Sequence, residues 1–194
     1  MTTVPGRRER KKAATRQSIA DAALRLFLER GYDQVGIRDI AEAADVSTTT
    51  LFKHFPGKEA LVFDQADERE AYLVSAVRER PEGQGILDAL REHVLASKLI
   101  REQEEFAEFT ALIDATPALR DYSERMWARH ADALAAAIAD ELGVEPDNLA
   151  CATLARFVLQ IPTIVRGRPD LPAAVEQVFA LIEHGWHPPT RRNV

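Results

Sequence analysis

The chain has 194 residues, of which 46% are hydrophobic and 29% charged, the balance of a folded globular protein and too apolar for a disordered one. No stretch approaches the roughly 18 consecutive apolar residues of a membrane span, and the basic N-terminus lacks the apolar core and cleavage site of a secretory signal. The formal net charge of −6 conceals a polarity: residues 1–58 carry 11 Lys/Arg against 7 Asp/Glu, net +4, whereas residues 59–194 carry 14 against 24, net −10, so a polyanionic partner suits the head alone.

Six of the first 16 residues are cationic (Arg7, Arg8, Arg10, Lys11, Lys12 and Arg16) against one acid, Glu9. Residues 1–14 read as a basic flexible arm. From Thr15, the side chains of Ile19, Ala22, Ala23, Leu26 and Phe27 fall on one helical face, and Gly31 stands where a helix ends. Two short amphipathic stretches run from Ile37 to Ala44 and from Thr48 to Phe55. Pro56-Gly57 interrupts the chain before a long segment from Lys58 to Arg80, which Pro81-Glu82-Gly83 stops. Ile86, Leu90 and Val94 mark a fifth helix, and Phe106, Phe109, Thr110 and Ile113 a sixth. Thr116-Pro117, a cap followed by proline in the first turn, opens a seventh that carries Leu119, Tyr122, Met126, Leu134, Ile138 and Leu142 to Gly143. The last two run from Asp147 to Arg166 and from Leu171 to Gly185. Strand alternation is nowhere sustained, so the chain reads as all-α, with about nine helices.

Two short helices joined at Asp45-Val46-Ser47 describe a helix-turn-helix. Ile40, Ala44, Val46 and Leu51 would hold the pair against the first helix, with small Ala41 where helices pack closely. Ser47 is placed to cap the second helix through backbone N–H groups near Thr49 or Thr50. Thr48, Thr49, Thr50, Lys53 and His54 then offer hydroxyls and cations where a recognition helix meets base edges and phosphates. Any αα-hairpin can share this spacing; the basic stretch ahead of it tips the reading toward DNA.

The same region resembles the TetR family of bacterial transcriptional repressors. The resemblance runs through Ile19-Ala-Asp-Ala-Ala23, Leu26-Phe27, Gly31-Tyr32, Arg38-Asp-Ile-Ala41, Val46-Ser47, Thr50-Leu-Phe-Lys-His-Phe-Pro56 and Lys58-Glu-Ala-Leu61. It implies a three-helix DNA-binding domain over 15–56, an effector-binding and dimerisation body over 57–187, and a C-terminal tail over 188–194. It also implies a homodimer on a pseudo-palindromic double-stranded operator, released when a small-molecule effector enters the body. Carried over by position, it assigns Thr50, Phe52, His54 and Lys58 to phosphates, and Arg38, Thr48, Thr49 and Lys53 to bases or flanking phosphates, with Ser47 among the DNA-binding residues as the cap. Three positions depart from the family's pattern. Asp45 replaces a turn glycine at a position that tends to need φ > 0. Phe52 replaces tyrosine and loses a phenol. Gly36 replaces a Ser/Thr cap and supplies no hydroxyl.

In the body, His93, Phe106, Phe109, Tyr122, Met126, Trp127 and His130 are the candidates for an effector pocket, which is typically apolar with a few polar anchors. An aromatic stripe at helical spacing also serves as plain core, and His93 shares a face with Ile86, Leu90 and Ile100. His184 and His187 are three apart but lack a third ligand, so they read as surface groups. The last two helices are apolar on almost every face, which asks for burial on both sides; Ala155, Leu159, Ala174, Val178 and Leu181 are the expected dimer seam. Pro162 is expected to kink the eighth helix. The single cysteine, Cys151, allows neither an internal disulfide nor a zinc site built on cysteine pairs, and reads as a small buried apolar group. No nucleophile–base–acid order, glycine-rich phosphate loop or metal cluster appears, so the enzyme reading is disfavoured and neither cofactor nor metal is expected. A DNA-binding architectural protein without an effector is the remaining alternative, and the acidic body of about 130 residues argues against it. The expected location is the cytoplasm.

Overall fold

The computed structural model describes residues 6–97, 100 and 107–185. Among these the chain forms ten helices: α1 (Arg7–Arg30), α2 (Ile37–Ala43), α3 (Thr48–His54), α4 (Glu59–Val62), α5 (Ala66–Arg78), α6 (Ile86–Ala96), α7 (Ala107–Ala115), α8 (Pro117–Leu142), α9 (Leu149–Val165) and α10 (Leu171–His184). No strand occurs among the described residues. None of these helices is long and apolar enough to cross a membrane. Two compact units result. The described residues up to Asp67, with Ala107–Glu124, form the first; those from Glu68 to Ile100, with Arg125 to Gly185, form the second. Helices α4 and α7 group with the first unit.

In the first unit, α1 buries Ile19, Ala20, Ala22, Ala23, Leu26 and Phe27 and lies against α2 and α4, while α2 lies against α3. The helical periodicity that places these residues on one face also carries α1 further toward the N-terminus than expected. Residues 7–14, expected as part of a flexible arm, are its first two turns, with the Gly6 N–H bonded to the Glu9 carboxylate at 3.0 Å. Arg, Glu, Lys and Ala, which make up residues 7–14, are good helix formers, so nothing in this stretch stops the helix. The segment 58–80 is two helices rather than one. Phe63 leaves helical geometry at φ −110°, ψ 43°, and its buried ring lies 5.3 Å from Tyr122 and 6.2 Å from Phe109. A tertiary aromatic cluster thus overrides the local helical pattern.

The second unit is built around one apolar core drawn from α5, α6, α8, α9 and α10, including Leu73, Val77, Leu90, Leu134, Ile138, Val158, Ile161 and Phe179. Cys151 lies in this core, as its small apolar character suggests. Asn148 caps α9, its Oδ1 accepting from the N–H groups of Ala150 and Cys151 at 3.0 and 3.2 Å, and α9 continues through Pro162 to Val165. The buried residues of α9, namely Cys151, Ala155, Val158, Ile161 and Val165, form a single stripe. Its remaining apolar side chains are half-buried or exposed within the protomer.

Candidate nucleic-acid interface and effector-binding body

The turn between α2 and α3 is set by two residues. Asp45 takes φ +52°, the one positive φ outside glycine among the described residues, so the chain reverses there in the conformation expected of a turn position that usually holds glycine. Ser47 Oγ then accepts the Thr50 N–H at 3.0 Å and lies 2.8 Å from Thr50 Oγ1, satisfying one of the orphan donors at the start of α3. At the head of α2, Gly36 offers no side chain, and the Asp39 carboxylate instead accepts the Gly36 N–H at 2.7 Å. Leu51 and Phe55 are wholly buried and pin the inner face of α3. What remains outward is Thr49, Phe52 and Lys53, all exposed, with Thr48, Thr50 and His54 half-buried beside them and Arg38 exposed on α2. Of the nine residues expected to meet DNA, Ser47 and Thr50 are engaged in the cap, and the outward face narrows to three of them on α3 plus Arg38.

His54 and Lys58 are both half-buried. The Nδ1 of His54 is buried with no hydrogen-bond partner among the described residues. Burial, then the charges of Arg16 and Lys12, hold its imidazole below the ordinary histidine range, which disfavours the cationic form. Lys58 turns inward. Its Nζ donates to the Tyr32 carbonyl and lies 4.0 Å from the Tyr32 ring centroid, and burial lowers its pKa despite the nearby carboxylates of Asp33 and Glu59. Tyr32 completes the arrangement by donating its hydroxyl to Glu59 Oε1 at 3.0 Å; burial first, and then that carboxylate, raise the pKa of the phenol.

Arg16 belongs by composition to the basic head, yet it works inside the fold. Its Nη1 donates to the His54 carbonyl at 2.6 Å and its Nη2 to the Asp64 carbonyl at 2.8 Å, with the guanidinium 4.3 Å from the Phe55 ring centroid. The end of α3 and the turn after α4 are thereby tied to α1. Arg7, Arg8, Arg10, Lys11 and Lys12 remain exposed.

The effector candidates divide between the units. Phe109 and Tyr122 pack on Phe63 in the first. His93, Met126, Trp127 and His130 belong to the second; Phe106 lies outside the described residues. Met126 and His130 are wholly buried. His130 meets Trp127 edge-on at 5.4 Å, and its Nε2 lies 3.6 Å from Glu70 Oε2, a carboxylate that Arg129 also approaches at 3.6 Å. Glu70 is not legible in the sequence, because nothing in the spacing of 60 residues links it to His130. His93 is half-buried with its ring 4.6 Å from Tyr72. His184 is exposed, and His187 lies outside the described residues.

The seam candidates also divide. Ala155 is wholly buried in the protomer's own core, so it is not available to a second copy; the stripe at 151, 155, 158, 161 and 165 already faces inward. Leu159, Ala174 and Val178 are half-buried, and Leu181 is exposed. Ala174, Val178 and Leu181 line an open groove of about 360 Å³ with Ile164, Arg168 and Asp170.

Comparison with known proteins adds to this geometry. Residues 19–64 match the sequence profile of the bacterial regulatory proteins of the tetR family, and residues 84–187 match the MftR C-terminal domain. The chain is 36% identical to the helix-turn-helix-type transcriptional regulator TcmR of Streptomyces glaucescens over 86 residues, a match spanning 44% of this chain and only 38% of that one. It is 28% identical to the transcriptional regulator MftR of Mycobacterium tuberculosis over 154 residues, 78% of each chain. The structure of Salmonella enterica GusR shares the fold, with a TM-score of 0.60 at 24% identity over 89% of this chain and 95% of that one.

Proposed function

We propose a regulator's role for this chain, which belongs to the TetR family of bacterial regulatory proteins. It is a DNA-binding transcriptional regulator. The observation that carries this reading is the outward face of α3: a helix capped by Ser47, pinned from within by Leu51 and Phe55, and presenting Thr49, Phe52 and Lys53 to solvent. Such a helix meets the major groove while neighbouring cations meet phosphates, and the exposed cations of α1 add a sequence-independent attraction.

The finer reading is a repressor acting as a homodimer in the cytoplasm. Two copies would read the two halves of a pseudo-palindrome, since one helix-turn-helix contacts too few bases for useful specificity. The groove between α9 and α10 suits a second copy: Ala174, Val178 and Leu181 leave apolar surface uncovered there, and a two-fold axis would pair it with its own image. A small-molecule effector would bind in the body and weaken the grip on DNA, with Trp127 and His130 as apolar wall and polar anchor. Relatives named as transcriptional regulators accord with a role that is not enzymatic.

Fluorescence anisotropy on labelled duplexes tests the reading. Affinity should fall steeply with salt, each neutralised phosphate contributing about −0.9 to the slope of log K against log salt, so Lys53→Gln should flatten the slope by about that amount. Absence of binding to any duplex at about 50 mM salt, where electrostatic attraction is strong, would contradict it. A thermal-shift screen that stabilises the protein with a small molecule, and releases DNA with the same molecule, would identify the effector.

A further inference from the structure

We propose that Phe52 reads the 5-methyl group of a thymine in the operator's major groove and is a specificity-determining residue, an inference that rests on the DNA-binding reading above. Phe52 is 54% exposed, more than Leu28, the other exposed large apolar side chain described in this unit, whereas Phe27, Phe55 and Phe63 are buried. Its placement is not a packing accident. Leu51 and Phe55 on either side are wholly buried and fix the rotation of α3, so the ring is held outward in the stripe formed with Thr49 and Lys53. A phenyl ring has no hydrogen-bonding atom and cannot hold a phosphate oxygen. On a surface that closes against DNA it must find an apolar partner. Thymine's methyl is the apolar group that a base pair presents in the major groove, and phenylalanine is among the side chains suited to it. Lys53, adjacent and exposed, supplies the charge that holds the backbone near.

The full-length protein should first select its preferred duplex from a random pool. Each thymine in that duplex is then replaced by deoxyuridine, which removes the methyl and leaves the pairing intact. One thymine position per half-site should cost the wild type about fourfold in affinity, the value of one buried methyl-sized group at about 1.4 kcal/mol per tenfold. Phe52→Ala should be indifferent to that same replacement, while Phe52→Tyr, which keeps the ring, should retain the preference. Circular dichroism should show unchanged helical content in both variants, because the exposed ring is not part of the buried core. Equal losses in wild type and Phe52→Ala at every thymine, or no loss at any, would overturn the assignment and leave the DNA-binding reading intact. A wild-type chain that selects no sequence at all would overturn both.

Discussion

Asp45 shows what one residue can store. At φ +52° its Cβ sits in the left-handed region, which costs an L-residue roughly 1–2 kcal/mol and glycine almost nothing. Asp45→Gly is therefore expected to raise the melting temperature by about 2–4 °C per kcal/mol relieved, as a thermal melt would show; a lower value would mean that the carboxylate makes a stabilising interaction. This strain is foreshadowed only by the family resemblance, which places glycine where Asp45 stands. The two perturbed histidines are not legible, since burial is a tertiary property. His93 is held below the ordinary histidine range by burial alone. A group whose folded pKa lies below its unfolded value of about 6.5 takes up a proton on unfolding, so its contribution is complete above that value and is lost as pH falls through it. His93→Gln should flatten the decline in melting temperature between about pH 7 and 5, the range that brackets the unfolded value; an unchanged slope would place the titration elsewhere.

Among the elements, the helix-turn-helix is readable almost residue by residue. Caps, punctuating glycines and the apolar stripe are local signals, and Ser47 and Leu51 occupy the roles their chemistry suggests. The Arg16 clasp is not readable. Its acceptors lie 38 and 48 residues away, and in composition a cation that binds carbonyls looks the same as one that binds phosphates. Lys58 shows the same ambiguity, since its ammonium also donates to a carbonyl, that of Tyr32. The difference can be measured. Arg16→Gln removes two charge-assisted bonds and should cost roughly 2–4 kcal/mol of stability. It should weaken all duplexes alike while leaving the salt slope unaltered, since the guanidinium neutralises no phosphate. A slope flattened as far as that of Lys53→Gln would return Arg16 to the DNA surface. The division of segment 58–80 into α4 and α5 has a similar origin: Phe63 leaves the helix for the rings of Phe109 and Tyr122, partners so distant along the chain that periodicity cannot register them.

At the scale of the whole molecule, the all-helical class and a basic head on an acidic body follow from pattern and charge, whereas the seam depends on knowing which faces each protomer buries for itself. Ala155 illustrates this. Read on an apolar helix it suits a partner; in the fold it belongs to the core with Val158 and Ile161. Ala155→Glu should therefore cost more than about 3 kcal/mol by burying an uncompensated charge, collapsing the second unit rather than only dissociating a dimer. Leu181→Glu, exposed and lining the groove, should instead keep its helical content and sediment as a monomer; a dimer surviving that change would move the interface off α10. Whether two copies read one defined DNA sequence as a two-fold pair is decided by selection from a random duplex pool at about physiological salt. Two-fold pairing predicts enrichment of an inverted repeat whose two half-sites change together when Thr49 or Arg38 is replaced. A pool that emerges without any enriched sequence, or with a single unrepeated site bound by one copy, would contradict it.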